Sequence, residues 1–380
     1  MENMDDALKA VDLHLKANPD DATAWNAKGV IHAQKHEWGE ALRSLDQALR
    51  LDPNLARAHS NRGRVLLSIG PDKASEALKS FNKALQLLPD DLETLRDKAV
   101  SLRALGHAEE ELNCYRKISE TSRNEWEVWL RMGDLQLELG DFKAADSSYK
   151  TALALKEDLV PAFIRRAIAL AMMESYTDAL KSAETATKLA PENAEAWLIQ
   201  GDVNLRAGRH KSAFKSLKKA SELDPTNASV ENTMGMVAYK DGRLDEAVIH
   251  LRRALVRQRR YPSAMRNLAF ILMEQEEWSE ANRVFTDLTA LVKDDPDLFD
   301  AKATALARLD DFCSAEEAWE KARKLYKEKG DEREAERVTV LGRAARINCG
   351  KLKKAAKAQR EDEKLTRRLS SRHEFRRRER

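Results

Sequence analysis

Side chains of matched size recur every 34 residues along most of this 380-residue chain, and few folds accommodate such a period. Trp129, Gly133, Ala145, Tyr149 and Ala152 are followed one period later by Phe163, Ala167, Ala179, Ala183 and Ala186. A further period brings Trp197, Gly201, Ala213, Leu217 and Ala220, and Pro191 and Pro225 stand one period apart as well. A repeat of this length marks stacked units, each too small to bury its own apolar face. Within a unit the order is an aromatic, a small residue four later, an Ala twelve after that and a Pro twelve further on. This spacing fits two short antiparallel helices, A and B. The small residue lets helix A lie close to its neighbours, and Ala at positions 20 and 27 stands where helix B crosses its own helix A and the next one. A bulky group at either crossing would cost roughly 1–3 kcal/mol through overpacking. Pro ends helix B, because it lacks the N–H and clashes with the preceding turn.

The phase can be followed from end to end. Leu8, Val11 and Leu15 lie at helical spacing before Pro19, so residues 1–21 read as a lone helix B that caps the open edge of the first unit. Units then begin near 22, 56, 92, 126, 160, 194, 228, 262 and 296, and fill residues 22–329. The second carries two extra residues at Pro71-Asp72, in a turn, where insertion is tolerated. The third is the least regular, with Glu111 and Ile118 where Ala is expected. Gly140, Gly208 and Gly242 recur in the A–B turn, supplying the positive φ of a helix stop. Residues 330–347 (Ala335, Val338, Leu341 and Ala345 on one face) predict a C-terminal capping helix, and 348–380 a basic, partly disordered tail.

This pattern resembles the tetratricopeptide repeat (TPR) family over about residues 1–326, with nine matches in one phase. The resemblance implies an all-α, right-handed superhelical solenoid of about nine TPR hairpins with capping helices at both ends. It further implies that helix A of each unit lines the inner face, where side chains at positions 2, 5, 6, 9, 12 and 13 meet a partner. Read onto this chain, the central units give Leu130, Arg131, Asp134, Leu137, Ile164, Arg165, Ile168 and Met172, then Leu198, Asp202 and Leu205. The following units give Met236, Tyr239, Arg266, Asn267 and Phe270. Apolar groups beyond those the repeat core requires suggest a partner, and Met and aromatics suit adaptable peptide contact. Some members of the family hold a chaperone's C-terminal carboxylate with Lys and Asn. Asn61 matches one such position, but Val30, Glu93 and Asp97 stand where Asn, Lys and Arg are needed, so no such clamp is expected at the N-terminal end.

Other functions are disfavoured. Charged residues make up 34% and hydrophobic ones 42% of a chain with 14 Gly and 9 Pro, which favours ordered helix. His32 and His36 lie one turn apart without a matching third ligand, and read as packing and turn residues rather than metal ligands. Cys114, Cys313 and Cys349 show no CxxC spacing, and the odd count argues against a disulfide framework and for a reducing, cytoplasmic setting. There is no phosphate loop, leader or membrane-spanning run; no cofactor, metal or catalysis is expected. Residues 351–380 carry a net +8, which leaves the other 350 at −6 against a whole-chain +2. Lys353, Lys354, Arg367, Arg368, Arg376, Arg377 and Arg378 in this tail suit sequence-blind contact with phosphates. The chain therefore reads as a protein-interaction scaffold, with an RNA- or ribosome-associated protein using its basic tail as the alternative. Oligomeric state stays open, as does whether the half-repeat at the start marks a piece of a longer protein.

Overall fold

The computed structural model describes residues 2–378, with side chains from 4 to 364. Among the described residues there are helices and no strand. The chain divides into two compact units, Met1–Pro191 and Glu192–Arg380.

In the first unit α1 (Glu2–Ala17) leads into antiparallel hairpins. These pair α2 (Ala22–Gln34) with α3 (Trp38–Leu51), α4 (Ala56–Ile69) with α5 (Ala74–Leu87), and α6 (Leu92–Leu105) with α7 (Ala108–Thr121). Next come α8 (Trp126–Glu138) with α9 (Phe142–Leu155), and α10 (Val160–Met172) with α11 (Tyr176–Leu189). The second unit pairs α12 (Ala194–Arg206) with α13 (His210–Leu223), and α14 (Ala228–Lys240) with α15 (Leu244–Arg257). There follow α16 (Pro262–Glu274) with α17 (Trp278–Leu291), α18 (Pro296–Arg308) with α19 (Phe312–Glu328), and finally α20 (Glu332–Arg378). Within each unit the second helix of a hairpin also packs on the first helix of the next. The extra residues of the second repeat form a 3-10 turn, Pro71–Lys73, before α5.

Small side chains set the helix spacing. Ala145 and Ala152 of α9 are fully buried, as are Ala179 and Ala186 of α11, Ala213 and Ala220 of α13, and Ala247 and Ala254 of α15. Gly133 lies so close to the buried Tyr149 ring that a Cβ there would sit 2.6 Å from Cε1. The turn within a hairpin is equally repetitive. Its left-handed residue is Gly106, Gly140, Gly208 or Gly242 in some hairpins and His36, Glu174, Glu276 or Asp310 in others, these four at φ 59–61°. That conformation closes the helix: in α8 the Gly140 N–H donates to the Leu137 carbonyl and the Asp141 N–H to that of Gln136. Helix starts are capped by side chains, Asp141 accepting from the Ala144 N–H and Asn193 from that of Ala196.

Two features depart from the sequence reading. Cys313, in the first turn of α19, forms a disulfide with Cys349 of α20, so two of the three cysteines are paired and the ground for expecting a reducing compartment is removed. Their sequence separation of 36 residues hides the contact; folding α20 back along α19 creates it. Second, α20 runs unbroken to Arg378 instead of ending near 347 and giving way to disorder. Its first turns are anchored by Ala335, Val338 and Ala345 packed with Trp319 and Tyr326 of α19. A helix already nucleated extends cheaply through Ala, Lys, Gln, Glu and Arg.

Candidate partner-binding surface

The first helix of each hairpin carries the side chains assigned to a partner, and each compact unit holds its own set. In the first unit Leu130 and Leu137 of α8 are half-buried against the Ala145–Tyr149–Ala162 cluster, and Ile168 of α10 is half-buried. Met172, one turn further along α10, is exposed. Ile164 is the exception: it is only 3% accessible, enclosed by the surrounding helices, and offers a partner almost nothing.

The charges among these residues are already engaged. Arg131 donates from Nε and Nη2 to the Glu111 carboxylate at 2.9 and 3.0 Å. Asp134 accepts from the Tyr149 hydroxyl at 2.9 Å and faces Arg165 Nε at 3.2 Å. Burial nonetheless holds the Asp134 carboxyl above the usual carboxylate range, since desolvation of the anion outweighs the guanidinium beside it. The same burial, with Asp134 adjoining, pushes the Tyr149 phenol up, so it stays a neutral donor.

In the second unit Leu198 and Leu205 of α12 are half-buried against the Ala213–Leu217–Val230–Val237 cluster, and Asp202 pairs with Arg206 at 2.8 Å. Met236 and Tyr239 of α14 are half-buried. Phe270 of α16 is 40% exposed and meets the buried Phe285 edge to face, ring centres 5.4 Å apart. Arg266 is tied to Asp295, and Asn267 Nδ2 donates to Asn232 Oδ1 at 2.9 Å.

A matching amide pair opens the first unit, where Asn61 Nδ2 donates to Asn26 Oδ1 at 2.9 Å. Beside it lies a cavity of about 550 Å³ lined in part by Arg57, Arg64 and Glu93. Glu93 and Asp97 both take Arg64, at 2.9 and 2.5 Å, so the charges beside Asn61 pair with one another.

Elsewhere the side chains fall as follows. His32 is buried with Nδ1 2.6 Å from Glu37 Oε2, while His36 is the left-handed residue of its turn. Among the described residues no group of three or more His, Cys, Asp or Glu is placed to hold a metal, and no helix is long and apolar enough to cross a membrane. Cys114 is a free, buried thiol raised by desolvation. Lys353 and Lys354 are exposed on α20; the side chains of Arg367, Arg368, Arg376, Arg377 and Arg378 lie outside the described residues.

Residues 31–70 match the TPR repeat model. The chain is 31% identical over 110 residues to the cytochrome c-type biogenesis protein CycH of Rhizobium meliloti, covering 29% of each. It is 26% identical over 183 residues to the human protein O-mannosyl-transferase TMTC3, covering 48% of this chain and 18% of that one. It thus spans less than a third of the length of either relative. Among solved structures, the APC/C hetero-tetramer Cut9–Hcn1 overlays with a TM-score of 0.52 at 15% identity, covering 84% of this chain and 76% of the other. That likeness bears on the fold alone. Residues 113–340, more than half of the chain, match the model described as the cilia and flagella-associated protein 70 C-terminal domain, and the chain belongs to this family of TPR proteins.

Proposed function

We propose that this protein is a non-catalytic scaffold of nine TPR units within residues 22–329, which holds a partner peptide or helix on the first helices of its hairpins. One observation supports this reading above the rest: Met172 and Phe270 are exposed on first helices otherwise packed into the array, each beside half-buried apolar neighbours. Stacked hairpins fix each side chain in position within its own unit, so a partner that buries either gains about 25 cal/mol per Å² before ordering costs. The charged residues flanking them are engaged by internal ion pairs, which leaves the apolar contacts as the main source of affinity.

The test is Leu137→Asp combined with Ile168→Asp in the full chain. The partner is found by affinity purification and mass spectrometry, then remade as a synthetic peptide. Capture of that peptide should be lost while helical circular dichroism and the melting midpoint stay near wild type; undiminished capture by a folded double variant rules the reading out. The competing reading, RNA or ribosome contact by the tail, rests on the exposed Lys351, Lys353, Lys354 and Lys357 of α20. Deleting 351–380 would abolish salt-dependent RNA binding under that reading and leave peptide capture untouched under ours.

A further inference from the structure

The second helix of each hairpin turns one face to its neighbours and the opposite face to solvent, and α15 breaks the pattern on its solvent face. Ala247, Leu251 and Ala254 are fully buried on its inner side. On the opposite side Ile249 is 48% exposed and Val256 86%, the highest exposure of any large apolar side chain among the described residues. The repeats supply the control. At the register of Ile249 the other eight second helices all carry a polar side chain, Lys181, Lys215 and Arg283 among them. At the register of Val256 they carry a polar side chain or Ala, as in Lys188, Glu222 and Ala290. Packing therefore does not ask for a branched aliphatic group at either place. Two of them on one face, two turns or about 10 Å apart, mark a contact with something outside the fold.

The charges around this pair are sorted by sign. Before Ile249 lies an acidic end, where Asp245, and Glu277 from the start of α17, line the groove of about 600 Å³ that Ile249 shares with α17. Asp245 accepts from the neutral Gln275 Nε2 at 2.7 Å, and among the described residues neither it nor the exposed Glu277 makes an ion pair. Beyond Val256 lies a basic end, where Arg259 and Arg260, in the turn after α15, are exposed and likewise unpaired among the described residues. Between the two ends the charges are largely answered within the chain: Arg252 takes Glu280 at 2.7 Å, and Glu246 is held by Arg243. Arg253 stands at the margin of the stripe and is open to water.

A stripe that is acidic at one end, basic at the other and apolar between is complementary to itself when two copies run antiparallel. A two-fold contact requires each pairing to occur twice, with the roles exchanged. Setting Ile249 of one copy against Val256 of the other satisfies this. The same alignment brings Asp245, four residues before Ile249, against Arg260, four residues after Val256, with Glu277 and Arg259 adding to the two ends. An anionic membrane or a nucleic acid would meet the arginines but be repelled by Asp245 and Glu277. We propose that the outward face of α15 is a self-association surface, whose occupant is α15 of a second copy in an antiparallel two-fold dimer. The neighbouring α13 carries the exposed Lys211, Lys215 and Lys218 without ion pairs, and these would repel their own copies, so the contact centres on α15. One helix per copy buries less than the roughly 1,200 Å² of a standard interface, which makes the dimer a weak one. The surface belongs to a second helix and is distinct from the one proposed above on the first helices.

The test is sedimentation velocity on the full chain from about 5 to about 500 µM, the range a small interface calls for. The wild-type chain should pass from monomer to dimer within it. Ile249→Lys and Val256→Glu copy Lys215 and Glu222 of α13, so the fold accepts them, and each should weaken the dimer about tenfold or more. Asp245→Lys with Glu277→Lys makes both ends of the stripe basic, and Arg259→Glu with Arg260→Glu makes both acidic. Each double variant should stay monomeric alone, and an equimolar mixture of the two should recover dimer at about the wild-type level, an outcome that misfolding cannot produce. Leu137→Asp with Ile168→Asp should leave the dimer unchanged, which keeps the two proposals apart. A wild-type chain monomeric throughout, a dimer within about twofold of wild type in Ile249→Lys and Val256→Glu, or no recovery in the mixture would overturn the assignment. So would a monomer that sediments with phosphatidylserine vesicles and is released by Val256→Glu, which would give the stripe to a membrane.

Discussion

Glu111 offers a test in which the repeat pattern and the structure predict opposite signs. At this place in the other hairpins stand Ala41, Ala77, Ala145, Ala179, Ala213, Ala247, Ala281 and Ala315, each fully buried. By consensus, Glu111→Ala should stabilise the chain by about 0.5–2 kcal/mol. The structure says otherwise. Glu111 is buried in α7, and its carboxylate accepts from Arg103 Nε and Nη2 of α6 at 3.0 and 2.9 Å and from Arg131 Nε and Nη2 of α8 at 2.9 and 3.0 Å. One side chain thus ties a hairpin to the hairpin that follows it. Breaking a buried ion pair costs about 3–5 kcal/mol. Here the cations left behind are 49% and 27% exposed and can rehydrate, which brings the estimate to the lower end of that range. The lost methylenes leave a gap worth about 1 kcal/mol, and the higher helix propensity of Ala returns a few tenths. Glu111→Ala should therefore destabilise by about 3 kcal/mol, and Glu111→Gln, which keeps the volume, by about half as much.

Stacked hairpins open in blocks rather than all at once, so the assay is native-state hydrogen exchange read helix by helix. Amides of α6, α7 and α8 should exchange about a hundredfold faster in Glu111→Ala, since each 1.4 kcal/mol is a factor of about ten. Those of α2 and α3 should stay near wild type. Exchange in α6–α8 that is unchanged or slower would refute the reasoning and leave the consensus rule standing.

Three further outcomes follow from the geometry. Glu276 holds a left-handed turn at φ 61°, a conformation that costs a non-glycine residue about 1–2 kcal/mol, so Glu276→Gly should raise stability by roughly 0.5–1 kcal/mol in urea unfolding after the entropy of Gly is subtracted. Asp134 carries a carboxyl raised above its ordinary 3.8, so the folded state holds this proton more tightly than the unfolded chain does. Its contribution is favourable at low pH and is lost as pH rises through the raised value, so the melting midpoint of Asp134→Asn should gain on wild type at pH 7 and the gap should shrink toward pH 4; a gap that widens on acidification contradicts this. Cys313→Ser removes the link between α19 and α20, and should destabilise the packing of α20 by about 2–4 kcal/mol, seen as faster exchange confined to α19 and α20.

The helical array was legible because its signal is summed over many repeats. The small residues, Gly133 or Ala145 for example, carry their meaning through size alone, and size is visible in a sequence. The turn was half legible. Gly140 and Gly208 announce a left-handed residue, whereas Glu174, Glu276 and Asp310 adopt the same φ under pressure from the flanking helices, and nothing in their chemistry advertises it. The Cys313–Cys349 link could not be read, since it depends on α20 returning along α19. Composition misled at the tail: 348–380 lacks the apolar groups needed to pack, but a helix anchored further back needs none to continue. Among the side chains expected to meet a partner, Met172 and Phe270 are exposed and Leu137 is half-buried, while the buried Ile164 shows that a register position does not by itself fix exposure.

The same regularity gives each residue a set of internal controls, and two departures from it point in opposite directions. At Glu111 the array gains a buried anion, and the chain itself brings two arginines to meet it. At Lys302 the array keeps a cation that it pairs in α2, α4 and α10, yet the carboxylate and the hydroxyl that would answer it are replaced by Asn282, Thr286 and Ala318. A desolvated charge costs free energy unless something pairs with it. In the first case the pairing lies inside the fold, so the residue is explained by stability. In the second the fold withholds the partner, but Lys302 is only partly buried, so water can meet its ammonium, while the buried Leu268 fills the same register in α16 with no charge at all. The register therefore tolerates a cation without an internal partner where solvent reaches it, and an apolar residue where solvent does not.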